Sequence, residues 1–463
     1  MTDQTKFDDL IGIIAPACIS QEPEDLALHS CDWWPVAIKR RQQGRTPMRP
    51  ELVVRPRNQD EVSRLLAWAN QRGVPVTPWG AGSAVTGAPL PTQGGISLDL
   101  STMNRTLHID STNLIVRVEA GKIGIQLEQE LNEKGFTLNH SPQSLNRSSV
   151  GGWLSTRSSG QFSSRWGNIE DLCISFTVVL ANGEVLTMPQ TPRAAAGPDL
   201  RHIFIGAEGT SGVITEVSLK MFPLPETRRY ESIRFPKLHQ GLNAVRQIMQ
   251  SGLRPFLVRL YDADESKHVM ADDRFADSVL FVGCEGIREV AMAEMHTATD
   301  ICLRSGGEAM GPGPAESWMQ RRFDFSAFER TLDLPGGIAE TVEVSHFWSE
   351  VEHTYCVMKE ALRPFVDEVL CHFSHAYPQG TSLYLILFGQ AVDDRAAENT
   401  ILQIWDVAME AALRKGAAIS HHHGIGYARR KYVAPYLGSG YKIIQQLKET
   451  VDPNGIMNPG KLV

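Results

Sequence analysis

A chain of 463 residues, 42% hydrophobic and 21% charged, is too long for one hydrophobic core, so two or three domains are expected in an ordinary globular protein. Its net charge of −8 argues against nucleic acid as a partner, because a phosphate backbone demands a basic surface. Seven scattered cysteines without a CxxC exclude a zinc ribbon and a disulfide framework, and no stretch approaches the roughly 18 uninterrupted apolar residues of a transmembrane helix.

The start, "MTDQTKFDDL", is acidic and lacks the basic and apolar regions of a signal peptide, so a cytoplasmic location with reduced thiols is expected. Residues 1–50 are expected to form a helical segment. Within it "CDWWPVAIKRR" sets two tryptophans beside three basic residues, a composition suited to weak contact with a membrane surface. From Asn58 to Arg72 the pattern predicts an amphipathic helix, with Asn58 and Glu61 spaced as a capping box and Gly73 at the end. A strand "VPVTPW" then runs into the glycine loop Gly80–Ala88, and "GGISLDLS" and "LIVRVEAG" read as further strands.

Two more glycine-rich stretches follow, at 148–172 and 205–225. Clusters of Gly with Ser and Thr let backbone N–H groups turn towards phosphate, and three of them suggest a long ligand with a pyrophosphate; three tight turns are the alternative. The first loop is neither GxGxxG nor a Walker sequence. Beyond residue 225 strands ("PFLVRLYD", "SVLFVGCEG", "SLYLILFGQ") alternate with helical stretches, which suggests a sheet covered by helices on one face. The last 45 or so residues carry "SHHHGIGYARRKY", one more helix and the tail "DPNGIMNPGKLV".

The segments "VTPWGAGSAVTGA", "PQSLNRSSVGGWLSTRSSG", "WGNIEDL" and "GAEGTSGVIT" resemble, in order and spacing, the flavoenzymes with a vanillyl-alcohol-oxidase/PCMH-type FAD domain. The resemblance implies an α+β fold: a two-subdomain FAD-binding domain (51–225), a substrate-binding cap with an antiparallel sheet covered by helices (226–415), and a C-terminal segment (416–463) that returns the histidines to the flavin. It implies that the FAD site comprises Pro78, Gly80, Ala81, Gly82 and Ser83, then Pro142, Ser144, Ser148, Val150, Gly151, Gly152, Ser155, Thr156 and Gly160, then Glu208, Gly212, Val213 and Ile214. Relatives that attach flavin covalently use His or Cys in the first loop; Ala81 and Ala84 stand here, so the FAD is expected to be non-covalent.

Two branches of that family compete. In the 2-hydroxy-acid dehydrogenases a metal is held by "GHIGDGNLH" and the Glu of "EHGIG". Here "SHAYPQGTSLY" keeps His375, lacks the Asp-Gly-Asn core and has Tyr384 in place of the second His, while His422 stands where that Glu would be. Contiguous residues on an extended loop alternate sides, so His421 and His423 are expected to oppose His422, and no metal is expected. The chain is more similar to the alkyldihydroxyacetonephosphate synthases. That resemblance implies exchange of the acyl chain of an acyl-dihydroxyacetone phosphate for a fatty alcohol through an adduct at flavin N5. It also implies Tyr384 and His421–His423 in proton handling, by His or a deprotonated Tyr, Arg259 on substrate or flavin, and Arg330 and His375 as further substrate contacts.

From residue types alone, Arg259 can instead pair with Asp262 or Asp264, Tyr384 can be a plain strand aromatic, and the histidines can form a structural loop. Arg429–Lys431 reads as a solvated helix face. Relatives imply a homodimer. The other activity weighed is an FAD-dependent oxidoreductase of 2-hydroxy acids or alcohols.

Overall fold

Asn58 caps the helix Gln59–Arg72 by accepting from the Glu61 backbone N–H at 3.0 Å, and Gly73 ends it in the left-handed conformation. The expected capping box closes on one side only, because the Glu61 carboxylate takes the N–H and guanidinium of Arg57 instead of the Asn58 N–H. The structure, a computed structural model, describes residues 4–463.

The helix lies in the first of two regions. One sheet there has parallel strands Leu52–Val54, Ile96–Asp99 and Val76–Trp79, with Ile19–Ser20 antiparallel at its edge. The other is a five-stranded antiparallel sheet, in the order Thr106–Asp110, Ile115–Glu119, Val213–Lys220, Cys173–Val179, Val185–Thr187. Leu66, Val76, Leu98, Val118, Trp153 and Val217 belong to the core these sheets share.

The second region is a seven-stranded antiparallel sheet, in the order Glu308–Gly311, Thr227–Phe235, Ser278–Gly286, Leu257–Tyr261, Glu368–Ser374, Gly380–Gln390, Gly337–Phe347. Helices Leu238–Gln250, Arg288–Arg304, Val351–Leu362 and Asp394–Lys415 cover one face, as expected from the alternation of strand and helix patterns. The two-residue period of strands then divides the side chains. Val258, Leu260, Val369, Cys371, Phe373, Leu383, Leu385 and Leu387 enter the helix-covered core, and the residues between them face the first region.

After Lys415 the chain bridges Ala418 to Ser345 on the edge strand, makes the helices Arg430–Leu437 and Gly440–Val451, and returns to the first sheet. There Asn458 N–H donates to Val76 O at 2.8 Å, and the buried Lys461 ammonium donates to Leu90 O at 2.5 Å. Among the described residues no helix is long and apolar enough to cross a membrane.

The segment Cys31–Arg41 is not a membrane-facing surface. Trp34 is buried against Tyr427, and the helix Pro35–Gln42 packs on Asp394–Lys415 because Val36, Ala37 and Ile38 are core residues. Lys39 is fully buried, donating to the carbonyls of Leu332 (2.8 Å) and Leu334 (2.9 Å) and to Asp394 (3.0 Å). Losing the ammonium leaves the Leu332 and Leu334 carbonyls short of a donor, so Lys39→Met should cost about 1–3 kcal/mol of unfolding free energy in denaturant titration. A cost below about 1 kcal/mol would mean the pair is effectively solvated.

Candidate active site

A cavity of about 510 Å³ lies between the two regions. Its first wall is made by the glycine loops. Of the expected FAD contacts, Pro78, Gly80–Ser83, Pro142, Ser144, Ser148, Gly151, Gly152, Ser155, Thr156, Glu208 and Gly212–Ile214 line it. Two do not. Val150 turns its side chain into the core of the first region because it sits on the inner face of the helix Val150–Thr156, and Gly160 lies against the Ser141 backbone, behind the wall. Gly82 is left-handed (φ 64°), and a Cβ there would collide with the Trp79 ring, so the loop can present bare backbone. On the same wall Gln161 has a buried Oε1 with no partner in the protein. A glycine cradle, an unmet amide oxygen and apolar neighbours such as Leu100 and Val213 fit an extended phosphate-bearing flavin cofactor. Among the described residues no cysteine lines the cavity.

The opposite wall is the cap sheet. Glu343, Tyr384, His372 and Tyr261 are direct partners across four adjacent strands, so they form one row on the face turned to the first region. The Tyr384 hydroxyl is held protonated, burial pushing it up to about 12 with the neighbouring Glu343 adding to this and Thr341 opposing. It is therefore a phenol at neutral pH, which argues against a deprotonated Tyr, one of the two bases considered beside His.

The histidine loop is built around the carboxylate of Glu343. This buried group accepts from Ser420 Oγ (3.0 Å), the His423 N–H (3.0 Å), the His421 N–H and Arg429 Nη1 (2.7 Å). Burial alone would push its pKa up; Arg429 and the donors of the loop outweigh that and hold it down to about 2. Arg429 is fully buried against Trp405, not part of the solvated face expected of the basic run. The loop leaves Glu343 through Gly424 (φ 79°), where a Cβ would strike Glu208, and Glu208 accepts the N–H groups of Ile425 and Gly426. Glu208 thus anchors the loop as well as lining the cavity, and burial pushes its carboxyl up to about 7 against those two donors.

The rings do not alternate as expected of an extended run. His421 Nδ1 and His422 Nδ1 are 2.9 Å apart because two backbone N–H groups of the loop converge on one carboxylate and curl it. His375 stacks on His421 and lies tilted against His422, each at 5.0 Å between ring centres, and binds Ser163 Oγ at 2.6 Å. The ligand nitrogens of His375, His421 and His422 all lie within 4.8 Å of one another, so this trio could hold a metal ion, contrary to the expectation drawn from alternation. Burial holds His421 and His423 down to about 4, and His375 and His422 well below their ordinary value. All four are neutral imidazoles at pH 7. His375, His422 and His423 line the cavity; His421 stands behind them, hydrogen-bonded to Tyr377 at 2.8 Å.

Arg259 lines the cavity and pairs with neither Asp262 nor Asp264, both of which bind Lys359. Its Nε donates to Tyr261 Oη at 2.7 Å. Arg330 is exposed and outside the cavity: Ala327 and Phe328 of the same helix face inward, and two residues further on, a helix points the other way. Arg321 and Arg322 line the cavity in its place, and Arg322 has a buried Nε without a partner. They were legible only as "QRRFD", a basic pair with no spacing signal.

Residues 50–189 match the FAD binding domain family, and residues 224–462 match the family described as FAD linked oxidases, C-terminal domain. The chain is 34% identical to the FAD-linked oxidoreductase YgcU of Escherichia coli strain K12, over 89% of each chain. It is 29% identical to the alkyldihydroxyacetonephosphate synthase of Dictyostelium discoideum, over 91% of this chain and 74% of that one. A solved structure titled as an alkyldihydroxyacetonephosphate synthase superposes with a TM-score of 0.82 at 25% identity, covering 98% of this chain and 84% of the other.

Removing Arg429 would leave the Glu343 carboxylate buried without a counter-charge. Arg429→Met should lower the unfolding free energy by roughly 3–5 kcal/mol. A loss under about 1 kcal/mol in a denaturant titration would show that the pair does not hold the loop.

Proposed function

The chain belongs to the FAD-linked oxidases and binds FAD, and from this premise we propose a synthase that exchanges the acyl chain of an acyl-dihydroxyacetone phosphate for a fatty alcohol. The observation that carries the reading is the pairing of neutral imidazoles with a protonated phenol on one cavity wall, beside guanidinium groups. His422 and His423 are unprotonated at neutral pH and suit the removal of a C1 proton. Tyr384 keeps its proton and suits donation to the departing carboxylate. Arg259, Arg321 and Arg322 offer the bidentate donors that a phosphate dianion requires. Trp318, Phe325, Phe328, Ile386 and Phe388 supply an apolar lining for the chains.

Bound FAD would supply an electrophilic N5 with no net change of redox state. Pro78–Ser83, the wall from Pro142 to Thr156, and Gly212–Ile214 would hold it non-covalently. The division at residues 51–225, 226–415 and 416–463, a homodimer and a cytoplasmic place belong to the same reading. The three-nitrogen cluster of His375, His421 and His422, with the likeness to an oxidoreductase, favours a second reading: oxidation of a 2-hydroxy acid or alcohol with a metal held by these rings.

The two readings separate without oxygen or any electron acceptor. Given palmitoyl-dihydroxyacetone phosphate and hexadecanol, the enzyme should form the alkyl ether, detected by mass spectrometry, with its flavin still oxidised. Absence of ether, with bleaching of the flavin by D-lactate or another 2-hydroxy acid, would establish the oxidoreductase instead.

A further inference from the structure

The tail "DPNGIMNPGKLV" has no part in the reaction above: among the described residues, none beyond His423 lines the cavity. It is nevertheless tied to the cofactor wall from behind. Residues 456–458 clamp Val76, whose N–H donates to Ile456 O and whose carbonyl accepts from the Asn458 N–H, both at 2.8 Å. Val76 opens the strand that runs into the first glycine loop at Gly80. The Asn458 side chain reaches the other end of that loop, its Nδ2 donating to Ala88 O at 3.0 Å. The same Nδ2 also donates to Glu208 O at 2.6 Å, in the third glycine stretch.

The way the amide faces is fixed. An ammonium only donates, and Lys461 Nζ lies 3.3 Å from Asn458 Oδ1, so the oxygen turns to Lys461 and the NH2 to the two carbonyls. Asn458 is buried and left-handed (φ 38°), a conformation that Asn tolerates better than most residues with a side chain. Glu208 is left-handed as well (φ 52°), and its N–H donates to Ser155 O at 2.9 Å, in the second glycine stretch. Lys448 adds a bond to Thr210 O at 2.6 Å. The three stretches of the cofactor wall therefore meet at Glu208 and Asn458.

We propose that Asn458 is a positioning residue for FAD. Its amide staples the first glycine loop to the third, at the spacing that lets both offer backbone to one cofactor. The peptide joining Glu208 to Gly209 shows how this works. A trans peptide sets its C=O and N–H on opposite sides, so a Glu208 carbonyl drawn back to Asn458 turns the Gly209 N–H away from the tail, and Gly209 lines the cavity. Without the amide the cofactor itself must order the two loops, and that cost is subtracted from its binding. The inference rests on FAD binding and not on the reaction proposed above.

Two measurements on the full chain test this. Asn458→Asp keeps the shape of the side chain and its tolerance of a left-handed backbone, but sets acceptors against the two carbonyls. At pH 8 the FAD-loaded variant, diluted and followed by flavin fluorescence, should release FAD at least about tenfold faster than the unaltered enzyme. Lys39→Met also deprives two carbonyls of a buried donor, but in the cap, and should release FAD within about twofold of the unaltered rate. Release from Asn458→Asp no faster than from Lys39→Met would make Asn458 merely structural and overturns the inference. The second measurement uses the unaltered chain, because coupling between cofactor and tail must be reciprocal. Removing FAD should speed hydrogen exchange at the amides of residues 456–458 by at least about tenfold, while the helix Leu238–Gln250 changes by less than about twofold. A tail that responds no more than that helix overturns the inference, and this result decides alone if Asn458→Asp does not fold.

Discussion

One buried carboxylate organises the site. Glu343 is the point at which the cap sheet, the histidine loop and Arg429 meet, and it accepts from a serine hydroxyl, two loop N–H groups and a guanidinium. A carboxylate removed from water is tolerable only when its lone pairs are met and its charge is opposed, and both conditions hold here. Because Arg429 supplies the opposing charge, the histidines need not. Their rings remain neutral and keep a free lone pair at neutral pH, while the burial that keeps them neutral also makes them weaker bases than a free imidazole.

The rest of the site follows from strand geometry. The partners Glu343, Tyr384 and His372 share one row because their strands run antiparallel in register, and alternation places that row on the cavity side while Leu383 and Leu385 anchor the same strand in the core. The chemistry thus rests on a rigid sheet, with the loop brought to it by Glu343 on one side and Glu208 on the other. Tyr384 and the histidines stand on the cap side of the cavity and the glycine cradle on the other wall, so a cofactor held in the cradle faces them directly.

What could be read from the sequence was what local patterns carry. Asn58 and Gly73 bounded their helix, and glycine clusters marked the turns, because caps and left-handed positions are properties of a few adjacent residues. The helix-covered sheet of the second region followed from strand and helix periods, while its antiparallel order was implied only by the resemblance. Pairs far apart in sequence were invisible: nothing in "SHHHGIGYARR" reveals that Arg429 is buried against Glu343, 86 positions earlier. Nor does alternation along an extended run survive when two of its N–H groups converge on one acceptor, which is why His421 and His422 meet. Arg330 misled because resemblance places a residue type, whereas the helix phase decides which of Ala327, Phe328 and Arg330 turns inward. Tyr384 lies on the cavity wall, but how far burial raises its hydroxyl above the ordinary value is something a sequence does not show.

The division of labour between the neutral histidines and the protonated Tyr384 is the central claim, and hydrogen exchange tests it most directly. Acyl-dihydroxyacetone phosphate would be incubated with the FAD-loaded enzyme in deuterated water without any alcohol, and deuterium at C1 followed by mass spectrometry. Loss of a general base costs about 10²–10⁴ in rate, so exchange should fall by at least about 100-fold in the double variant His422→Asn, His423→Asn. Tyr384→Phe should keep at least about a tenth of it. Exchange that survives the histidine changes and vanishes in Tyr384→Phe would contradict the account and make the tyrosine the base.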